Sequence, residues 1–246
     1  MTENLIRFFE SIGVNKAAQQ VEFLLQPETL PAALWETLYV TILGTLLAYV
    51  IGLPLGVILV IGDENGILPL PKGLMKALNI AVNLLRSVPF LILMVVCFPL
   101  ARLIIGTSVG TTASIVPLTL AAAPFVARIV ESSLRETDRG ILEAAQAMGC
   151  SVWQIVTKVM LPECKPSLIT GLTTATITIL SYGAMAGAIG GGGLGAMALL
   201  RGHGRQERLT LYVAVLLLVI LVQVIQSIGT KLAVKTDRRI RTTNQK

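Results

Sequence analysis

Charge is scarce in this chain. Asp, Glu, Lys and Arg together make up 14% of its 246 residues, against about 25% in an ordinary soluble domain. There is a single histidine, His203, and no Gly-Lys pair anywhere in the sequence. Without that pair the chain cannot hold ATP in the P-loop manner, so any ATP-driven work needs a partner. The three cysteines, Cys97, Cys150 and Cys164, lack metal-like spacing. Free thiols are therefore expected, and neither a zinc site nor a disulfide framework. The N-terminus also lacks a basic stretch followed by a compact apolar core, so no cleaved signal peptide is expected.

What is present is apolar sequence in long runs. Hydrophobic residues make up 54% of the chain and the mean hydropathy is +0.76. Residues 37–62 form a run of 26 without a charge, and residues 209–230 a run of 22. About 20 such residues cross a bilayer as helix. Residues 103–127 and 166–200 are also uncharged but punctuated by Gly, Thr and Ser, so each is read as one span and a loop. The pattern predicts an all-α membrane protein with five spans, near 37–62, 77–101, 113–130, 167–189 and 209–230. Arg86 is expected near the start of the second span, where it could snorkel to the interface or serve a gate.

Orientation follows from loop charge. Thirteen Lys and Arg fall in 63–76, 128–166 and 231–246, and six in the remaining loops and the N-terminal segment. The N-terminus is thus expected outside and the basic tail 231–246 in the cytoplasm. The net charge of +6 needs no nucleic-acid partner, because the orientation rule and the anionic leaflet account for it. Residues 1–33 read as short amphipathic helices, with Leu5, Phe8, Phe9 and Ile12 on one face, packed across the mouth of the bundle or docking a partner. Pro54, Pro89, Pro99, Pro117 and Pro124, with Gly52/Gly56 and Gly183/Gly187 at small-xxx-small spacing, suggest close helix approach around a pathway. The glycine run at 190–195 follows no strand and is read as a flexible connection, not a phosphate cradle.

The loop 131–166 carries the most information. Asp138 can cap a helix that Gly149 ends in the left-handed C′ position. Ser151 and Gln154 have capping-box spacing, opening a second helix that Pro162 is expected to terminate. The result is a helical hairpin over 138–162 bearing Ile141, Leu142, Met148, Trp153, Ile155, Val156 and Val159. That is more apolar surface than a solvated connector exposes, and it marks a docking site.

These residues carry a resemblance. EAAQAMGCSVWQIVTKVMLP, at 143–162, resembles the EAA motif of type I ABC importer permeases, seven fixed positions over twenty residues of which only Val159, in place of Ile, departs. WETL at 35–38, RSVPF at 86–90, GTSVG at 106–110, IVPLTLAAAPFVARIVE at 115–131 and YGAMAGAIGGGGLG at 182–195 are similar to the methionine-importer branch. The segment before Trp35 and the RGHGRQER loop at 201–208 depart from it.

The resemblance implies a bacterial inner-membrane permease with a five-span core over 34–230. It further implies a homodimer, two cytoplasmic ATPase subunits that bind ATP and Mg, and an extracytoplasmic substrate-binding lipoprotein. No cofactor is expected in this chain. Glu143, Ala144, Ala145, Gly149, Leu161 and Pro162 would be the ATPase-coupling residues. Tyr182 and Met185, on the fourth span, are candidates for the pathway constriction together with Arg86.

Two alternatives remain at this point. An ion-gradient transporter would ordinarily place Asp or Glu inside the spans, and the five expected spans contain none. A serine hydrolase could use Ser108 of the G-x-S-x-G string with His203. That elbow requires a strand-to-helix turn, whereas here it joins two spans.

Overall fold

The computed structural model describes residues 17–237 and is helical with no strand among them. The proposed apolar face of Leu5, Phe8, Phe9 and Ile12, and most of the basic tail, lie outside the described residues. Four helices are long and apolar enough to span a membrane. They are α2 (Leu30–Ile61), α6 (Thr111–Leu134), α10 (Lys165–Ala186, continued by a 3-10 turn to Ile189) and α12 (Arg208–Thr236). A short α1 (Ala17–Leu25) precedes them, and a single-turn α11 (Gly193–Ala196) lies between α10 and α12. Helix α12 exposes Leu216, Ile220, Val224 and Ile228 at i, i+4 spacing, a face suited to lipid rather than water.

The span expected over 77–101 is broken. Helix α3 (Lys72–Ser87) ends at Val88, which is extended (φ −79°, ψ 125°), and after a sharp bend α4 (Phe90–Val96) and α5 (Phe98–Ile105) follow. Pro89 is the cause, because its ring crowds the α conformation out of the preceding residue. Arg86 accordingly sits exposed in the last turn of α3, not near the start of a span. There its charge complements the helix dipole.

The described residues fall into two compact units. The first draws on residues 17–44, 90–118 and 178–224, and the second on residues 45–89, 119–177 and 225–237.

In the first unit α1 is docked onto the start of α12. The Gln20 side-chain oxygen accepts the backbone N–H groups of Leu209 (3.1 Å) and Thr210 (3.3 Å), satisfying donors that a helix N-terminus leaves without a partner. Leu24 packs on Leu209 amid Val21, Phe23 and Val213. The Arg201 guanidinium lies 3.1 Å over the Phe23 ring and pairs with Glu207 at 2.7 Å. The 201–208 segment, expected as a loop, starts as the end of a π-helical stretch (Met197–His203) and is tied to α1.

The second unit is built on helix contact through glycine. A Cβ on Gly52 would lie 2.7 Å from the Ala123 carbonyl oxygen and Val126, and one on Gly56 would lie 2.6 Å from the Ala127 carbonyl oxygen. Nothing larger than hydrogen fits between α2 and α6 there. Gly183, by contrast, has ordinary room, and Gly187 lies beyond α10. The close approach expected of this pair is made by Gly187 alone, where a Cβ would run into the backbone of Gly195 and Ala196. Below the α2–α6 contact, Leu59, Met75, Val82 and Ala127 make a buried cluster that seats α3.

Helices α2 and α6 run past the spans expected from the sequence and take in Glu36 and Glu131, and α6 also contains Arg128. All three are bonded: Glu36 accepts from the Gly193 N–H, and Arg128 pairs with Glu131. Outside the spans, the Arg135 guanidinium donates to Asp63 at 2.9 Å and holds that carboxyl below its ordinary pKa. The pair therefore stays ionised through neutral pH and is lost only as acid protonates Asp63.

Candidate functional site

The hairpin is assembled by local rules. Asp138 is extended and its carboxylate accepts the N–H groups of Gly140 and Ile141, opening α7 (Arg139–Ala147). Gly149 takes φ +75°. Its N–H donates to the Gln146 carbonyl at 2.9 Å and the Cys150 N–H to the Ala145 carbonyl at 3.1 Å, the paired closure of a Schellman motif. Ser151 and Gln154 then form the reciprocal capping box over α8 (Val152–Gln154).

The second arm differs from expectation. It does not stop at Pro162. A π-helical turn, Ile155–Met160, leads into α9 (Leu161–Glu163) and the break comes at Cys164. Pro162 occupies the first turn of α9, where a missing N–H costs least.

The arm turns its apolar residues two ways. Ala145, Ile155, Val156 and Met160 are buried, whereas Ile141, Met148 and Trp153 are exposed, the last two by 76% and 75%. Of the residues expected to couple, Glu143, Ala144, Gly149 and Pro162 are exposed, Leu161 is half-buried and Ala145 is buried. Ala145 thus holds α7 in place while its neighbours face outward. A cleft of about 570 Å³ opens beside α7, lined by Asp63, Arg135, Arg139, Leu142, Glu143 and Gln146.

Tyr182 and Met185 lie one turn apart on α10 in the first unit. The Tyr182 ring stacks on Phe90, the first residue after the bend, with centroids 4.6 Å apart and planes 3° from parallel. Met185, 46% exposed, borders an apolar groove with Leu180, Ala184, Leu199, Val215 and Val219. Arg86 belongs to the second unit.

The glycine run is a fixed structure, contrary to its reading as a flexible connection. Gly190, Gly192 and Gly193 all have positive φ. Glu36 accepts the Gly193 N–H at 2.7 Å, Thr37 accepts the Leu194 N–H at 2.9 Å, and the Gly190 carbonyl accepts from Gly110 at 2.8 Å. No sequence rule links Glu36 to a residue 157 positions away, and the WETL string is the only sign of it. Glu36→Ala leaves the N–H of the buried Gly193 without its charged acceptor and is expected to cost about 1–3 kcal/mol. A lowered melting temperature of the purified protein checks this, and an unchanged one would show that the latch carries no stability.

The G-x-S-x-G string forms a turn between α5 and α6, with Thr107 and Val109 bonded to each other and no strand before it among the described residues. The hydrolase elbow is absent from these residues.

The fold and this hairpin define a multi-pass membrane component, and comparison with known proteins agrees. Residues 52–242 match the family described as binding-protein-dependent transport system inner membrane component, and the chain belongs to that family. It is a permease subunit of an ABC importer and not an enzyme. The probable D-methionine transport system permease protein MetI of Vibrio cholerae is 47% identical over 218 residues, 88% of this chain and 96% of the relative. The corresponding protein of Pasteurella multocida is 44% identical, covering 83% and 94%. Among solved structures, an inward-facing form of the MetNI methionine ABC transporter aligns with a TM-score of 0.83 at 41% identity, covering 87% of this chain and 99% of that one. Family membership sets aside both the ion-gradient and the hydrolase alternatives.

Proposed function

We propose that this permease imports methionine, as the L or D form, working as a dimer with two ATPase subunits and an extracytoplasmic binding protein. The observation that carries the coupling half of this reading is the hairpin. Two capping devices and a left-handed glycine hold Met148 and Trp153 outward, and an exposed apolar patch of this kind is a protein-docking surface. ATP and Mg belong to the partner that docks there. The methionine half rests on the names of the MetI and MetNI relatives. Reconstituted with its ATPase and binding protein, the permease is expected to take up labelled methionine only with ATP, and competition by unlabelled amino acids defines the substrate. Uptake of another amino acid in preference would overturn the substrate assignment.

The N-terminus lies outside and the C-terminus inside in this reading, on the strength of the loop charge. Cys150 is the half-exposed cysteine of the hairpin, while Cys97 and Cys164 are buried. A membrane-impermeant thiol reagent should therefore label Cys150 only from the cytoplasmic side. Labelling from the outer side would reverse the topology.

Tyr182 and Met185 narrow the passage at the dimer axis, and Arg86 lies at the bend as a gate residue. The Phe90 stack fixes Tyr182, and the flexible Met185 side chain can reseat around cargo. Met185→Ala is expected to raise basal leak or alter the transport rate while ATPase assembly persists. A bulky label at this position that reacts only from lipid and leaves transport unchanged would refute the placement.

A further inference from the structure

The second unit contains a polar chain that the coupling hairpin alone does not explain. Glu131, whose side chain is only 11% exposed, lies between two guanidinium groups on one face of α6. It binds Arg128 at 2.6 Å, three residues before it, and Arg135 at 3.0 Å, four residues after it. Each arginine then reaches another segment. Arg128 donates to Asn79 at 2.8 Å and to Asn83 at 2.9 Å, one turn apart on α3. Arg135 donates to Asp63, in the turn that follows α2. Asn79 is itself oriented by donating to the Met75 carbonyl at 2.9 Å, which leaves its side-chain oxygen for Arg128.

The chain has a direction. Its Arg135 end lies three residues before Asp138, the cap of α7, and both Asp63 and Arg135 line the cleft beside that helix. Its Asn83 end lies in the last part of α3, four residues before that helix ends at Ser87. A planar guanidinium bonded to a carboxylate on one side and two amide oxygens on the other fixes angle as well as distance. Apolar packing under α3, from Leu59, Met75 and Val82, supplies attachment without that angular constraint.

We propose that Arg128, Glu131 and Arg135, with Asn79 and Asn83, are positioning residues that make α3 follow the coupling hairpin, so that ATPase movement at the hairpin reaches the bend at Pro89. The proposal rests on the reading of the hairpin as the coupling element. It assigns the step beyond docking: how displacement of α7 is passed to a second helix.

The test uses the full transporter, permease with its ATPase and binding protein, in vesicles, and measures substrate moved per ATP hydrolysed alongside ATPase binding. Asn83 is exposed and Asn79 half-buried, so N79A/N83A removes the α3 end of the chain without leaving a buried charge. It is expected to lower the transport-to-hydrolysis ratio about ten-fold or more, since ten-fold is the loss that a single charge-assisted hydrogen bond represents, with ATPase binding unchanged. Arg128→Lys, which keeps the charge beside Glu131 but loses the fork, is expected to act in the same direction. Glu131→Gln should do so too, with hydrolysis persisting. A native ratio in both N79A/N83A and Arg128→Lys overturns the proposal. Loss of ATPase binding in these variants also overturns it, because the chain would then be shaping the docking surface and not transmitting its movement. Failure of the hairpin reading shows separately, as native ATPase binding and transport in variants of the hairpin itself.

Discussion

Gly149→Val is expected to reduce ATP-driven transport by about ten-fold or more while the permease remains folded in the membrane. Gly149 sits at φ +75°, and a Cβ there would meet no atom within 4 Å. The penalty is therefore conformational and not steric crowding by neighbours. An L residue in the left-handed region costs about 1–2 kcal/mol, and a β-branched one is a stronger outlier. The turn can escape that strain only by giving up the bonds from Gly149 and Cys150 to α7, which reorients Trp153 relative to Met148. Asn tolerates the left-handed region better than other residues. Defects should thus grow from Gly149→Asn through Gly149→Ala to Gly149→Val, measured as ATPase co-purification and methionine uptake. Equal, native docking across all three would remove the hairpin from the coupling mechanism.

Replacing Gly52 and Gly56 together by Leu is expected to remove a large part of the permease's stability. Each Cβ would fall within 2.7 Å of a backbone carbonyl oxygen of α6, and backbone cannot rotate away as a side chain can. Overpacking a single site costs about 1–3 kcal/mol, and these two glycines act on one contact against a stability of about 5–15 kcal/mol. Gly183→Ala is the control, since its nearest neighbour is Val40 at 4.0 Å. Helix propensity alone should make it neutral or stabilising, by up to about 1 kcal/mol. Size-exclusion profiles and melting curves in detergent check both. A monodisperse double Leu variant with a native melting temperature would show that α2 and α6 are held by something else.

These contrasts also mark what can be read in advance. The hairpin is legible because its devices act within a few residues: Asp138, Gly149 and the Ser151/Gln154 box each satisfy backbone groups close by in sequence. The long apolar runs are legible for the same reason, as hydropathy is a local sum. Pro89 is a signal that such a sum misses, since counting apolar residues from 77 to 101 passes over the conformational effect on Val88. Pro54, Pro117 and Pro124 lie inside unbroken helices, so proline alone does not decide where a span breaks. Gln20 and Glu36 are beyond reach. Each satisfies backbone donors of a distant segment, and neither residue type announces such a role. Pro162 does not end its arm because it falls in the first turn of α9, where its missing N–H costs least.

That π turn, Ile155–Met160, bears on how the hairpin could change over time. Such a turn amounts to an α-helix carrying one surplus residue. The wider turn absorbs that residue locally, so deleting Thr157 would restore ordinary pitch and leave Leu161 and Pro162 close to where they are. The same deletion from an unbroken α-helix turns everything beyond it by about 100° around the axis and draws it back by about 1.5 Å. Loss of a single codon is therefore absorbed at this place, where elsewhere in a helix it would re-aim one arm of the surface against the other.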